Sequence, residues 1–306
     1  MQWKGVMPAM TTAFDEALNV DHAFVSRHAR WLQANGCTGI VCLGSLGEAA
    51  TLTFAEKIAV VTTVVSAVSS GIPVIGAISA LSTAEAVDLA HALSDAGAEG
   101  LMILPPYVYK GDWRENKAHI AAILRATRLE AMLYNNPIAY GTDFIPEQVA
   151  DLAHEFPNLV AVKESSTDVR RVTAIHSLIG DRLAVFVGVD DAIVEGIEIG
   201  AVGWIAGLVN AFPRESVELF NLAVEGHKEA AFELYRWFLP LLRMDTVPKF
   251  VQIIKQVQEE TGSGSARVRP PRLPVEGTEL IAVRDAVAYA ISHRPYVAKP
   301  SSAIGS

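Results

Sequence analysis

The sequence predicts an α/β fold, a (β/α)8 TIM barrel followed by a C-terminal helical appendage, and three observations predict it. Eight short apolar runs recur at roughly even intervals. Between them lie segments with apolar residues at three- and four-residue spacing, the period of an amphipathic helix. The same glycine punctuation closes a helix and opens a run at Gly36-Cys37-Thr38-Gly39, Gly97-Ala98-Glu99-Gly100 and Gly200-Ala201-Val202-Gly203, which suggests one repeated unit.

The runs are Val6–Met10, Gly39–Leu43, Val74–Ala77, Leu101–Leu104, Ala131–Tyr134, Leu159–Val162, Ala184–Val187 and Trp204–Ala206. Each is short and nearly continuous in hydrophobicity, as parallel strands buried on both faces are. The first helix is read over His22–Leu32. Thr53 with Glu56 three residues later is a capping box that starts another, and Ser82 with Glu85 repeats the device. A doubly wound sheet is the competing arrangement. It wants a glycine-rich turn after its first strand, and Met7-Pro8-Ala9-Met10-Thr11-Thr12 offers none. After Pro213 the alternation stops. Helical stretches over Glu215–Glu225, Lys228–Arg243 and Pro248–Glu260 follow, the first closing the barrel and the others forming the appendage. This places the barrel in residues 1–225 and the C-terminal helices and tail in 226–306. Gly262–Pro271 is a loop on composition, a last helix runs over about Thr278–Ser292, and Lys299–Ser306 is expected to be mobile.

Composition narrows the function. A chain of 306 residues, 51% hydrophobic and 19% charged, is not disordered and can bury a large core. The 25 Lys and Arg against 34 Asp and Glu leave a net charge of −9, which argues against a nucleic-acid partner. Mean hydropathy is +0.28, yet charges, glycines and prolines break every apolar run well before the roughly 18 residues a membrane span needs. The N-terminus, Met1 to Val6, lacks a basic segment leading into an apolar one, so no signal peptide is expected and the protein is read as cytoplasmic. Cys37 and Cys42 form no CxxC and read as small core residues in a reducing compartment. The histidines show neither HxH nor HExxH spacing, so no metal is expected.

In a barrel, catalytic groups sit at the carboxyl ends of the strands. Lys163 ends the sixth run, in Leu159-Val160-Ala161-Val162-Lys163-Glu164-Ser165-Ser166. Desolvation in a dry barrel mouth would favour its free amine, a nucleophile toward carbonyls; the plain alternative is a lysine paired with a carboxylate. Tyr134 ends the fifth run and is either a proton shuttle for Schiff-base chemistry or an amphipathic plug. In Leu43-Gly44-Ser45-Leu46-Gly47-Glu48, glycines bracketing a serine would leave backbone N–H groups free to face a carboxylate, unless this is a plain turn. Asp190 and Asp191, after Val187-Gly188-Val189, would bind hydroxyls or an amine, or cap the next helix. That acidic turn also disfavours a phosphate site.

Together these positions resemble the dihydrodipicolinate synthase / N-acetylneuraminate lyase family from about Trp3 to Pro274. The family's G-[ST]-T-G-E loop is matched by Gly44-Ser45-Leu46-Gly47-Glu48, its Y-N-x-P by Tyr134-Asn135-Asn136-Pro137, and its K-[ED]-[AS] strand end by Lys163-Glu164-Ser165. The resemblance implies a class I, Schiff-base aldolase with no cofactor, acting on a small 2-oxo acid or imino acid. It implies that Lys163 forms the Schiff base and Tyr134 relays protons. Ser45 and the backbone of Leu46 would hold the carboxylate, and the main chain of Ile205 would line the same pocket. Gly188, Asp190 and Asp191 match the part that binds the substrate tail in the sialate lyase branch. A homotetramer, a dimer of dimers, is implied too.

Three departures argue against synthase activity. Ala139 stands where the synthase branch has the arginine that grips its second substrate. Leu46 removes a hydroxyl from the first loop. Val108 replaces the tyrosine that relays protons across the subunit interface, unless Tyr109 substitutes. The Ser-Leu-Gly-Glu loop and Lys-Glu-Ser-Ser strand end look similar to members that open 1-pyrroline-4-hydroxy-2-carboxylate. Sialate or 4-hydroxy-2-oxoglutarate aldolase activity is the next option. A ligand-binding barrel that has lost catalysis is the reading from another class.

Overall fold

The computed structural model describes residues 1–295; the tail from Lys299 lies outside the described residues. Eight strands form the sheet: β1 (Gly5–Pro8), β2 (Ile40–Cys42), β3 (Val74–Ile78), β4 (Gly100–Ile103), β5 (Glu130–Asn135), β6 (Leu159–Glu164), β7 (Ala184–Val187) and β8 (Gly203–Ala206). All pair in parallel, β1 against β8 and then in order down to β2. A bridge between Ala9 and Val41 joins β1 to β2 and closes the barrel. Each strand coincides with one of the eight apolar runs, because strands packed inside and out carry almost no exposed position.

The helices are α1 (His22–Ala34), α2 (Phe54–Ala67), α3 (Thr83–Asp95), α4 (Trp113–Ala126), a single turn α5 (Pro137–Tyr140), α6 (Pro146–Glu155), α7 (Arg170–Ile179), α8 (Ile193–Glu198), α9 (Pro213–Val224), α10 (Lys228–Leu242), α11 (Phe250–Glu260) and α12 (Gly277–Ser292). Their starts follow the sequence signals. Thr53 and Glu56 cap α2 reciprocally, Ser82 accepts from the Glu85 N–H at α3, and Asp112 with Glu115 forms a further box at α4. Gly36, Gly97 and Gly200 all take left-handed φ, between +90° and +109°, so the chain reverses from helix to strand where a Cβ would be strained.

The appendage joins the barrel through one continuous buried apolar cluster that includes Leu234, Tyr235, Phe238, Leu241 and Ile254. Phe238 and Leu241 are fully buried and Trp237 stacks on Phe238, so these residues serve the intramolecular core. A second tie is polar. The ammonium of Lys255 on α11 donates to Glu48 Oε1 at 2.7 Å and to the Thr12 carbonyl at 2.9 Å, with both side chains shut away from solvent. Among the described residues, no helix is long and apolar enough to cross a membrane.

Candidate active site

Strand periodicity decides which side chains enter the barrel mouth. The register of β5 on β6 pairs Tyr134 with Lys163 and Asn135 with Glu164. Paired residues on parallel strands point the same way and successive residues point oppositely. Tyr134 and Lys163 therefore share one face, Asn135 and Glu164 the other. On that second face Asn135 donates to Glu164 Oε2 and Asp143 Oδ1, both at 3.1 Å, and accepts from the Phe144 N–H. Asp143 is held by a bidentate pair with Arg171. The two motifs thus each carry one residue for the mouth and one that locks β5, β6 and their loops together.

Lys163 is buried, and its Nζ sits 4.2 Å from the centre of the Tyr134 ring. Among the described residues no carboxylate oxygen lies within 4.0 Å of it, so no ion pair holds the ammonium. Burial lowers its pKa to about 8, against the opposing pull of Asp245 and Asp190. Burial also pushes the Tyr134 phenol up to about 12. Tyr134 therefore stays neutral, and its hydroxyl accepts from Asn136 Nδ2 at 3.0 Å.

Gly188 follows β7 directly, and its N–H donates to the Glu164 carbonyl. A Cβ there would lie 2.0 Å from Ser165 Oγ and 2.6 Å from Lys163 Cε. Gly188 thus makes room for the lysine stem. Asp190 departs from the expectation that it binds a substrate tail. It is fully buried, and its carboxylate accepts from Trp204 Nε1 at 3.0 Å, from the Gly207 N–H and from the Leu208 N–H at 2.9 Å. Its oxygens are spent on holding the segment after β8, and it acts on Lys163 only through its charge. Asp191 makes no helix cap; its carboxylate faces Arg243 at 3.5 Å and its carbonyl accepts from the Tyr235 hydroxyl. Ile205 is buried in β8 beside Met7.

The loop after β2 is strained and over-determined. Leu43 and Glu48 take left-handed φ of 65° and 55° without being glycine. At Gly47 a Cβ would meet the Met10 carbonyl at 3.0 Å, which fixes that position as glycine. The buried Glu48–Lys255 pair and the Arg269 N–H on Glu48 Oε2 hold the loop in this shape. Among the described residues, the Ser45 and Leu46 N–H groups donate to nothing, which suits an anion nest. Leu46 itself is buried and apolar.

Sequence reasoning missed three residues here. Tyr140, on α5, hydrogen-bonds the Ser45 hydroxyl and packs edge-on against Tyr134 at 5.8 Å. It lies three residues past Pro137, in a stretch that reads as an ordinary turn. Lys255 looked like a polar helix residue because its partner lies 207 positions away. Asp245, in the turn Arg243–Asp245 between α10 and α11, exerts the strongest carboxylate pull on both Lys163 and Tyr134. No strand end marked it. Val108 and Tyr109 are exposed, and the Tyr109 hydroxyl donates to Glu115 of its own chain.

A family model described as the dihydrodipicolinate synthetase family matches residues 2–290. The chain is 30% identical over 284 residues to the 4-hydroxy-tetrahydrodipicolinate synthase of Methanothrix thermoacetophila, covering 92% of this chain and 95% of that protein. It is 32% identical over 289 residues to a protein of Saccharopolyspora erythraea named probable 5-dehydro-4-deoxyglucarate dehydratase, covering 92% of each. A crystal structure of the dihydrodipicolinate synthase from Acinetobacter baumannii complexed with pyruvate superposes with a TM-score of 0.88 at 28% identity, over 94% of this chain and 98% of that one. With eight parallel strands, matched relatives over nearly its full length and the family's three motifs in order, the chain belongs to the dihydrodipicolinate synthetase family of class I aldolase-type lyases.

Proposed function

We propose that the protein forms a Schiff base between Lys163 and a 2-oxo acid or cyclic imino acid, breaks a bond next to the resulting enamine, and is not a dihydrodipicolinate synthase. The observation that carries this reading is the pairing of Tyr134 with Lys163, with Nζ 4.2 Å over the ring and no carboxylate within ion-pair range among the described residues. In this reading the free amine attacks the C2 carbon. Tyr134 passes the proton that lets water leave the carbinolamine. The protonated imine then draws electrons from C3, so loss of a C3 proton gives an enamine from which carbon–carbon, carbon–oxygen or carbon–nitrogen bonds break. Ser45 and the Leu46 N–H hold the substrate carboxylate, and the Ile205 main chain lines the pocket.

Ala139 supports the exclusion of synthase activity: it is exposed, and its N–H is already given to Asn136 Oδ1 at 3.0 Å. It offers a second carboxylate no charge-assisted grip. Deamination of 1-pyrroline-4-hydroxy-2-carboxylate is the narrower reading favoured by the Ser45-Leu46 loop. A panel of 2-oxo acids and cyclic imino acids, with products identified and Lys163→Ala as control, tests both. Turnover of pyruvate with aspartate semialdehyde at synthase rates would overturn the exclusion. Ligand binding without turnover, unchanged by Lys163→Ala, would favour a non-catalytic barrel. We place the protein in the cytoplasm as a homotetramer. The exposed Leu81, Val108 and Tyr109, which line one cleft of about 260 Å³, are available to a neighbouring subunit. Light scattering of the purified protein checks the assembly.

A further inference from the structure

The appendage reaches the loop after β2 through one buried amine. Lys255 on α11 donates to Glu48 Oε1 at 2.7 Å and to the Thr12 carbonyl at 2.9 Å. The Thr12 hydroxyl donates in turn to the Gly47 carbonyl at 2.7 Å, and Gly47 is joined covalently to Glu48. Lys255, Thr12, Gly47 and Glu48 therefore close a ring around the Gly47–Glu48 peptide. The N–H of that peptide donates to the Ser45 carbonyl at 3.1 Å. The Ser45 carbonyl and the Leu46 N–H belong to one planar peptide unit, so whatever fixes the carbonyl also fixes the direction of the N–H. Glu48 holds its φ of 55° inside this ring, a conformation a non-glycine residue keeps only where its surroundings impose it. Charge acts in the same sense. Among the ion pairs within 4.0 Å that tie this loop to the appendage, three cations, Lys255, Arg269 and Arg272, face two carboxylates, Glu48 and Glu56, which leaves one positive charge over beside the loop.

We propose that Lys255 is a positioning residue for substrate binding: from the far side of the loop it aims the Leu46 N–H at the carboxylate of a 2-oxo acid. This rests on the reading above, in which that N–H holds the carboxylate of a ligand on Lys163. Lys255 does not itself touch substrate, because it is enclosed and its ammonium is given to Glu48 and Thr12. Without the ammonium, Glu48 and Thr12 lose their common partner. Glu48 is then free to leave the left-handed region, its N–H releases the Ser45 carbonyl, and the Ser45–Leu46 peptide turns. The ligand carboxylate loses an aimed donor, and a hydrogen bond to a charged group is worth about a tenfold change in affinity or more. Lys163 and Tyr134 stand on β6 and β5, outside the ring, so the step at the amine keeps its geometry once the ligand is bound. The effect therefore falls on affinity and leaves the limiting rate in place.

Pyruvate and pyruvamide separate this role from a merely structural one. Both offer a C2 carbonyl to Lys163, but pyruvamide carries a neutral amide in place of the carboxylate and gains about half as much from an aimed N–H. The initial rate of borohydride trapping on Lys163, read by mass over a range of ligand concentrations, gives a half-saturating concentration and a limiting rate for each. The first variant combines Lys255→Met with Glu48→Gln, which removes the ion pair as a unit and leaves the local net charge unchanged. Half-saturating pyruvate is expected to rise by about tenfold and half-saturating pyruvamide by no more than about threefold, with both limiting rates within about twofold of wild type. Thr12→Val cuts the ring at its other bond, keeps the side-chain shape and retains the ion pair; the same pattern is expected, and this variant decides alone if the first does not fold. Unchanged pyruvate half-saturation in either folded variant, or an equal rise for both ligands, overturns the proposal. So does a fall in limiting rate at unchanged half-saturation. A wild-type protein that traps neither ligand, or both equally well, overturns the reading on which the proposal rests and the proposal with it, and the wild-type data alone identify that failure.

Discussion

Replacing Gly188 by alanine asks whether the lysine stem needs the space that glycine leaves. The added Cβ would stand 2.0 Å from Ser165 Oγ, 2.6 Å from Lys163 Cε and 2.8 Å from Lys163 Cγ. Carbon atoms in contact settle at about 3.5–4.0 Å, so the stem must retreat by roughly 1 Å. A misplacement of about 1 Å at a reacting group costs on the order of 100-fold in rate. Overpacking adds about 1–3 kcal/mol of lost stability. The backbone at Gly188 lies outside the left-handed region, so the effect is steric. The assay is the rate of pyruvate trapping by borohydride, read by mass, beside a thermal melt. Gly180→Ala is the control: its φ of +57° strains an alanine, but nothing lies within 4 Å. It should lose about 1 kcal/mol and trap at the wild-type rate. Gly188→Ala trapping as fast as wild type would refute the reasoning.

Further expectations concern charge. Lys255→Ala should destabilise the protein by about 3–5 kcal/mol in denaturant unfolding, because Glu48 is left charged and fully buried; Glu48→Gln with Lys255→Met should recover most of that loss. Pyruvate trapping should rise with pH and level off near the lowered pKa of Lys163, about 8, with about a tenfold fall per unit below it. The groups facing the amine are the Asp245 and Asp190 carboxylates and the Tyr134 phenol, and a rate still climbing steeply above pH 10 would exclude the lowered value. His28 is buried between Phe24 and Trp31 and bonded to Asn210, and burial lowers its pKa from 6.5 to about 4. Between those values the unfolded chain binds more protons than the folded one, so stability is lost as pH falls from 6.5 toward 4, by up to roughly 3 kcal/mol. His28→Asn should flatten unfolding free energy across that window, and an unchanged slope would assign it to other groups.

The barrel was legible because its strands are buried on both faces, and burial on both faces writes continuous apolar runs into a sequence. Lys163 and Tyr134 were legible for the same reason: a charged or phenolic residue at the end of such a run has one place to go. The role of Asp190 was not. A strand-end aspartate looks the same whether its oxygens face a ligand or three N–H donors of its own chain, and only the path of the segment after β8 distinguishes them. Glu48 sits within a motif that was read, yet its partner Lys255 comes from α11, and no local pattern connects positions that far apart. Asp245 was hidden for that reason too. It lies on a turn between two helices, and only the packing of the appendage over Gly207 carries it to the mouth.

Lys163 as the nucleophile is the claim on which the rest depends, and one measurement reaches it most directly. The protein is incubated with pyruvate and borohydride, digested, and the modified peptide sequenced by mass spectrometry. The account predicts one reductively added pyruvate per chain, on Lys163, and none in Lys163→Ala. A folded wild-type protein that stays unmodified, or that carries the adduct on another lysine, would contradict it.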